Sequence, residues 1–303
     1  WLAVYAGLIF SFPSELVKGK ILVQLNQSQD YGFSINSLKI TMGLGVKCDG
    51  VKLVFKNSGT SDNTRLSLFL DELYISVRLW PLLFGEVKLF VSSKLYGGEI
   101  EVDYLLYKEK PSFSAHIASI QLEKAQFLKQ WIIVPLHGLV DGEISLNLDP
   151  KSVKNTSGNI HLQISQASTA GAEIFGFTLP PLSLGDINWK IPLQEGRIAF
   201  DKLSVKSKDL EMILDGNVQM REKFVTWTTR SNAQFKFSDE FLKKNGKIQA
   251  AIDLSGMREA RNEQGFYEYM IQGRLASPRF NPGRKMKRNR PMIRKEERIE
   301  ERK

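Results

Sequence analysis

The residues whose types could carry nucleophilic, acid–base or metal chemistry are three histidines, His116, His137 and His161, and a single cysteine, Cys48. Their spacing does not favour such chemistry. No two histidines stand at the i, i+4 separation with which an HExxH segment sets two imidazoles on one helix face. One cysteine supplies neither an intrachain disulfide nor a cysteine-based zinc site. Between Lys47 and Asp49 it reads as a small strand residue rather than a nucleophile. The acidic pairs Asp71 with Glu72 and Glu101 with Asp103 could in principle share general acid–base work, but alternating segments place such side chains on a solvated face. There is no GxSxG elbow, GxxxxGK[ST] phosphate loop or GxGxxG fingerprint, and Gly43-Leu44-Gly45 reads as a turn. The expectation is a non-enzymatic protein without metal or cofactor. A carbohydrate- or cell-wall-directed enzyme would require acids or histidines converging in a cleft, and nothing in the spacing points to that.

Charge is unevenly placed. Of the net +9, residues 284–303 carry +6, from ten Lys/Arg against four Glu. The candidate contacts to anionic lipid or to an acidic protein are Arg284, Lys285, Lys287, Arg288, Arg290, Arg294 and Lys295. Each basic side chain near anionic lipid is worth roughly 1 kcal/mol. A solvated tail without a fixed partner is the alternative. Nucleic acid is not expected, because no basic helix, zinc-finger spacing or aromatic RNA-binding strand accompanies the charge.

At the other end, Trp1 to Pro13 (WLAVYAGLIFSFP) contain no charge. A spanning helix needs about 20 apolar residues, so this run reads as the end of a membrane anchor. Lys18 and Lys20 follow it and weakly oppose translocation of the body. A buried N-terminal strand or helix is the competing reading.

Positioning elements come mainly from period-two alternation. Ile144, Leu146 and Leu148, then Ile160, Leu162 and Ile164, then Leu210, Met212 and Leu214 alternate with mostly polar neighbours, and Ile248, Ala250, Ile252 and Leu254 follow the same pattern. Earlier runs are Leu66 to Leu70, Val87 to Val91 and Ile100 to Tyr104. Glycines at 85, 97, 98, 142, 158, 196, 216 and 246 punctuate them and read as hairpin turns. A helix is expected where Ile120, Ala125, Leu128 and Ile132 recur before Pro135, and a shorter one over Asp239 to Lys244 with Ser238 as its cap.

The expected fold is mainly β: an elongated, curled antiparallel sheet, a meander or groove, with one or two short helices and an N-terminal transmembrane segment. The units read as an anchor end (1–13), a first β-rich block (14–118), a helical connector (119–137), a second β-rich block (138–280) and a basic, disordered tail (281–303). So many one-sided strands with so few helices pose a packing problem. The sheet must curl on itself, pack as a sandwich or cover its face with a ligand. The nine apolar residues of the 144–148, 160–164 and 210–214 runs named above are therefore the candidate apolar groove.

Two segments carry a family resemblance. LDELYISVRLWPLLFGEVKLFVSSKLYGGEIEV (Leu70 to Val102) flanks a Trp80-Pro81-Leu82-Leu83 turn with paired strands and runs into a Gly-Gly hairpin; WIIVPLHGLVDGEISLNLD (Trp131 to Asp149) opens into a strand. With SGNIHLQIS, LPPLSLGDINWKI, GRIAFDKLSVKSKDLEMILDGN and GRLASPRF further on, the layout resembles the type II secretion system protein N family, related to AsmA-like envelope proteins. That resemblance implies a single-pass bacterial inner-membrane anchor and a periplasmic β-rich body. It further implies an accessory or assembly role in moving proteins across the outer membrane, with other secretion components as partners. The alternative is an AsmA-like lipid-binding or lipid-transfer protein with an apolar groove and phospholipid as its ligand.

Overall fold

The structure, a computed structural model, describes residues 14–27, 31–41, 45–55, 67–107, 110–125, 128, 135–149, 151–174, 177–254, 257–275 and 277–283. Helix α1 (Ser14–Asn26) leads into β1 (Tyr31–Thr41), β2 (Gly45–Phe55) and β3 (Ser67–Arg78). A one-turn helix, α2 (Leu79–Leu82), connects to β4 (Val87–Leu95), β5 (Gly98–Tyr107), β6 (Lys110–Gln121), β7 (Leu136–Asn147) and β8 (Ser157–Thr169). A small hairpin, β9 (Ala172–Ile174) with β10 (Phe177–Leu179), precedes β11 (Ser183–Gln194), β12 (Arg197–Lys206), β13 (Leu210–Gln219) and β14 (Thr228–Phe237). Helices α3 (Asp239–Lys244) and α4 (Gly246–Leu254) come before β15 (Tyr267–Arg274) and β16 (Ser277–Pro282). Fourteen strands, all but β9 and β10, form one antiparallel meander in chain order. Two of its turns, Tyr96-Gly97 and Glu195-Gly196, have both central residues at positive φ, the geometry whose twist matches that of paired strands.

The apolar side chains stay on one face even where their spacing slips from two residues to three, at Cys48/Val51, Ile117/Ile120, Ile164/Ala167 and Phe200/Leu203. At the last three an extra residue at positive φ, Ser119, Gln166 or Lys202, forms a bulge that absorbs the slip; at Cys48/Val51 the partners Leu73/Leu70 slip together with it and the register does not shift. Neighbouring strands satisfy two of these bulges. Asp141 Oδ1 accepts from the Ser119 amide at 2.8 Å, and Asp186 Oδ1 accepts from the Gln166 amide at 2.8 Å. Asp141→Ala should therefore cost about 1–2 kcal/mol. Lys202→Gly, which relieves a left-handed backbone, should gain about 0.5–1 kcal/mol. Urea unfolding with an unchanged m-value checks both.

The sheet bends back on itself. Phe55 in β2 packs against Phe224, in the connection between β13 and β14, with ring centroids 6.1 Å apart. These elements are nine to ten strand positions apart in the sheet, which in a flat sheet would be about 45 Å. Twist alone would leave that separation unchanged, so the contact shows that the sheet also coils. Tyr31 and Trp227 extend the contact into a four-ring cluster, at 5.4 Å from Phe55 and 5.2 Å from Phe224.

Helices cover only parts of the apolar face. Ile21 and Leu22 of α1 pack on Ile35, Leu38, Cys48 and Val51. Phe241 of α3 and Ile248 and Ile252 of α4 pack on Leu182 and Tyr267. The Ser238 hydroxyl caps α3, accepting from the Phe241 amide at 3.2 Å.

Several expectations change. The 248–254 run is helical: Ile248 and Ile252, four apart, share a helix face as readily as a strand face, and the intervening alanines favour helix. Gly142 and Gly216 lie inside β7 and β13 rather than at turns. In the connector, Ile120 belongs to β6 and only Leu122–Lys124 forms a 3₁₀ turn, while residues 126–127 and 129–134 lie outside the described residues. β6 pairs directly with β7, so the two expected blocks share one sheet. Among the described residues no helix is long and apolar enough to cross a membrane. Trp1 to Pro13, on which the transmembrane expectation rests, lie outside them.

Candidate functional site

The register of the sheet aligns one apolar side chain from each of nine consecutive strands. The row runs Ile40, Val46, Ile75, Val91, Val102, Ala115, Ile144, Ile160 and Ile191, every neighbour a direct cross-strand partner. Cross-strand partners on one face lie about 4.5–5.5 Å apart, so the row is a continuous apolar surface. It is only partly covered: Ala115 and Ile191 are buried, Ile75 is 38% exposed, and the others are half-buried.

The predicted groove residues fall on this surface. Ile144 faces Ile160, Leu146 faces Gly158, Leu162 faces Gly142, and Ile164 faces Val140. Met212 and Leu214 face Val205 and Leu203, and Leu210 faces Phe237. Leu148 follows β7 and is half-buried. All but Leu210, which is buried, keep some exposure.

Two polar features on this face escape a reading by alternation. The Trp189 indole N–H, beside Leu162 and packed with the clusters around Ile187 and Ile191, is buried with no acceptor among the described residues. A buried donor without a partner costs about 1–3 kcal/mol, so it is a natural contact for an oxygen entering from outside the chain. In β14 the hydroxyls of Thr229 and Ser231, both buried, bond each other at 2.8 Å and end the apolar continuity.

The opposite face is charged. Glu101, His116, Glu143, His161 and Lys190 form one row across five strands, so two of the three histidines flank the same carboxylate. Sequence spacing hides this neighbourhood because it arises only through strand register. His161 Nε2 lies 2.9 Å from Asn188 Oδ1. Among the described residues no group of three His, Cys, Asp or Glu is placed to hold a metal. Glu72 pairs with Lys47 at 2.9 Å and Lys94 at 3.6 Å, which holds its carboxyl below the ordinary value. Cys48 is buried, and burial, with Asp49 beside it, pushes its thiol above the ordinary value. An uncharged thiol is a poor nucleophile.

Both sheet edges are blunted. At β1 the Asn26 side chain takes both main-chain groups of Phe33, donating to its carbonyl at 2.9 Å and accepting from its amide at 2.7 Å. Lys18 Nζ donates to the Asn36 carbonyl at 2.8 Å. β16 is six residues long and contains Pro278 and Pro282, which lack the donor that an added strand needs.

The basic residues Arg284 to Lys295 lie outside the described residues. No family model, curated protein or solved structure matches the chain.

Proposed function

We propose that this chain is a non-enzymatic envelope protein that holds lipid acyl chains against the inner face of its curled, groove-like sheet. Residues upstream of α1 would anchor it at a bacterial inner membrane, with the β-rich body in the periplasm. The observation that carries this reading is the nine-strand apolar row left partly exposed. An acyl chain gains about 0.8 kcal/mol for each methylene transferred from water to such a surface. Eight strand spacings make the row about 38 Å long, against about 15 Å for the hydrocarbon of one leaflet, so it has room for more than one acyl chain. The unpaired Trp189 N–H adds a polar contact suited to an ester or headgroup oxygen. Native mass spectrometry with lipid extraction, on protein purified from membranes, should find phospholipid at defined stoichiometry. Lipid-free protein would overturn the reading.

An accessory role in type II secretion is the second reading, supported by the likeness of segments 70–102 and 131–149 to that family. The blunted edges favour partners that dock on loops or faces over partners that add a strand. Gentle crosslinking should then recover inner-membrane or secretin components, and their reproducible absence would remove this reading.

A further inference from the structure

The β3–β4 connection is the most exposed apolar feature described. Trp80 is 78% exposed, Phe84 76% and Leu83 74%, with Leu79 and Leu82 also exposed beside them. No charge interrupts residues 79–85, while Arg78 and Lys88 stand at the two strand ends below and pair with Asp103 at 3.6 and 3.5 Å.

These side chains do not form a stripe. At about 100° per residue, Leu79, Trp80, Leu82, Leu83 and Phe84 span about 200° of the turn, and Pro81 occupies the remaining side. A single protein surface covers one side of such a tip, whereas an immersing apolar medium covers all of it, and a turn apolar all round belongs in a core or a membrane. Part of the backbone is bonded within the turn. The amides of Leu83, Phe84, Gly85 and Glu86 donate to the carbonyls of Trp80, Pro81, Leu82 and Pro81 at 3.0–3.2 Å, and Pro81 has no amide to satisfy. Hydrocarbon tolerates only backbone whose polar groups are bonded internally.

We propose that Leu79–Phe84 is a bilayer-insertion tip, which dips its five apolar side chains below the headgroups while Arg78 and Lys88 stay at headgroup level. The tip lies two strands from β1, about 10 Å along the stacking direction, so it can reach a membrane at the N-terminal end of the sheet. The inference does not require lipid in the groove.

The test uses the full chain with Cys48→Ser and a single environment-sensitive fluorophore on Leu83→Cys, or on Lys190→Cys as a control on the charged face. Leu83 and Lys190 are both exposed, so neither label displaces packing. With phosphatidylethanolamine/phosphatidylglycerol vesicles, the label at 83 should shift blue and be quenched by lipids brominated on their acyl chains; the label at 190 should not respond. In the unlabelled chain, Trp80→Ser with Leu83→Ser should weaken partitioning of the chain onto the vesicles on the order of tenfold or more. A label at 83 that stays in water when vesicles are added, whether or not the chain binds them elsewhere, overturns the proposal. So does one already shielded without vesicles, which would indicate a protein contact. Extraction of groove lipid by the native-mass experiment is read separately, so either idea can fail alone.

Discussion

Ile144→Asp should remove co-purifying phospholipid at least about tenfold, while Ser145→Asp, one residue along the same strand, should leave it unchanged. The two positions differ only in the face they serve. Ile144 sits in the apolar row between Ala115 and Ile160; Ser145 points outward between Ser114 and Asn159. Ile144 is half-buried, so a carboxylate there retains hydration while the face is empty. An acyl chain laid over it would strip that hydration, and an unpaired charge in an apolar contact costs several kcal/mol. Added charge alone would affect both variants equally. Phosphorus content per protein after gel filtration, with far-UV circular dichroism to confirm the sheet, is the measurement. Equal lipid content in both variants would dissociate the row from lipid binding.

The face assignment was legible in the residues because a sheet has a period of two and the apolar runs obey it. Ile144, Ile160 and Met212 could be placed on one surface before any coordinates, and Ser238 could be recognised as a cap. Three features were not legible. The helix over 246–254 was hidden because Ile248 and Ile252 fit both periods, and only their packing on Phe241 and Tyr267 decides between them. Bulges hide register: a three-residue step such as Ile117 to Ile120 fits helical spacing as readily as a bulged strand. The Phe55–Phe224 contact depends on the curvature of the whole sheet, and the His116–Glu143–His161 neighbourhood on the register of adjacent strands, neither of which a local pattern encodes.

Curvature and an accessible apolar face are linked here. A flat sheet of one-sided strands would expose its whole apolar surface and invite association with other chains. Bending brings β1 and β2 against the β13–β14 connection at Tyr31, Phe55, Phe224 and Trp227, while most of the row keeps partial exposure. α1 covers the face near β1 and β2, α3 with α4 covers it near β15, and Ala125 and Leu128 of the connector pack on it near β4 to β7. The bulges lie beyond the row along the strands and keep the apolar face on one side there, because each restores the apolar parity that an extra residue would otherwise invert.

The largest loss of stability is expected from Gly216→Ala. Gly216 lies in β13 at φ 142°, and an added Cβ would stand 2.4 Å from Ser231 Cα and 2.5 Å from the Arg230 carbonyl oxygen. Both are backbone atoms of β14, so no rotamer change can give way; the two strands would have to separate where the sheet bends. A cost of about 3 kcal/mol or more is expected, from overpacking added to a backbone region that suits glycine. Two other glycines divide that cost into its parts. Gly273 in β15, at φ 112°, would present its Cβ to open space, so Gly273→Ala tests the dihedral alone and should cost about 1 kcal/mol. Gly246, at the start of α4, has open space and no positive φ, so Gly246→Ala should be neutral or stabilise by up to about 1 kcal/mol. Urea midpoints for the three variants should fall in that order. If Gly216→Ala is no more harmful than Gly273→Ala, then β13 and β14 can spread at no cost, and the close approach of their backbones is not what holds the bend.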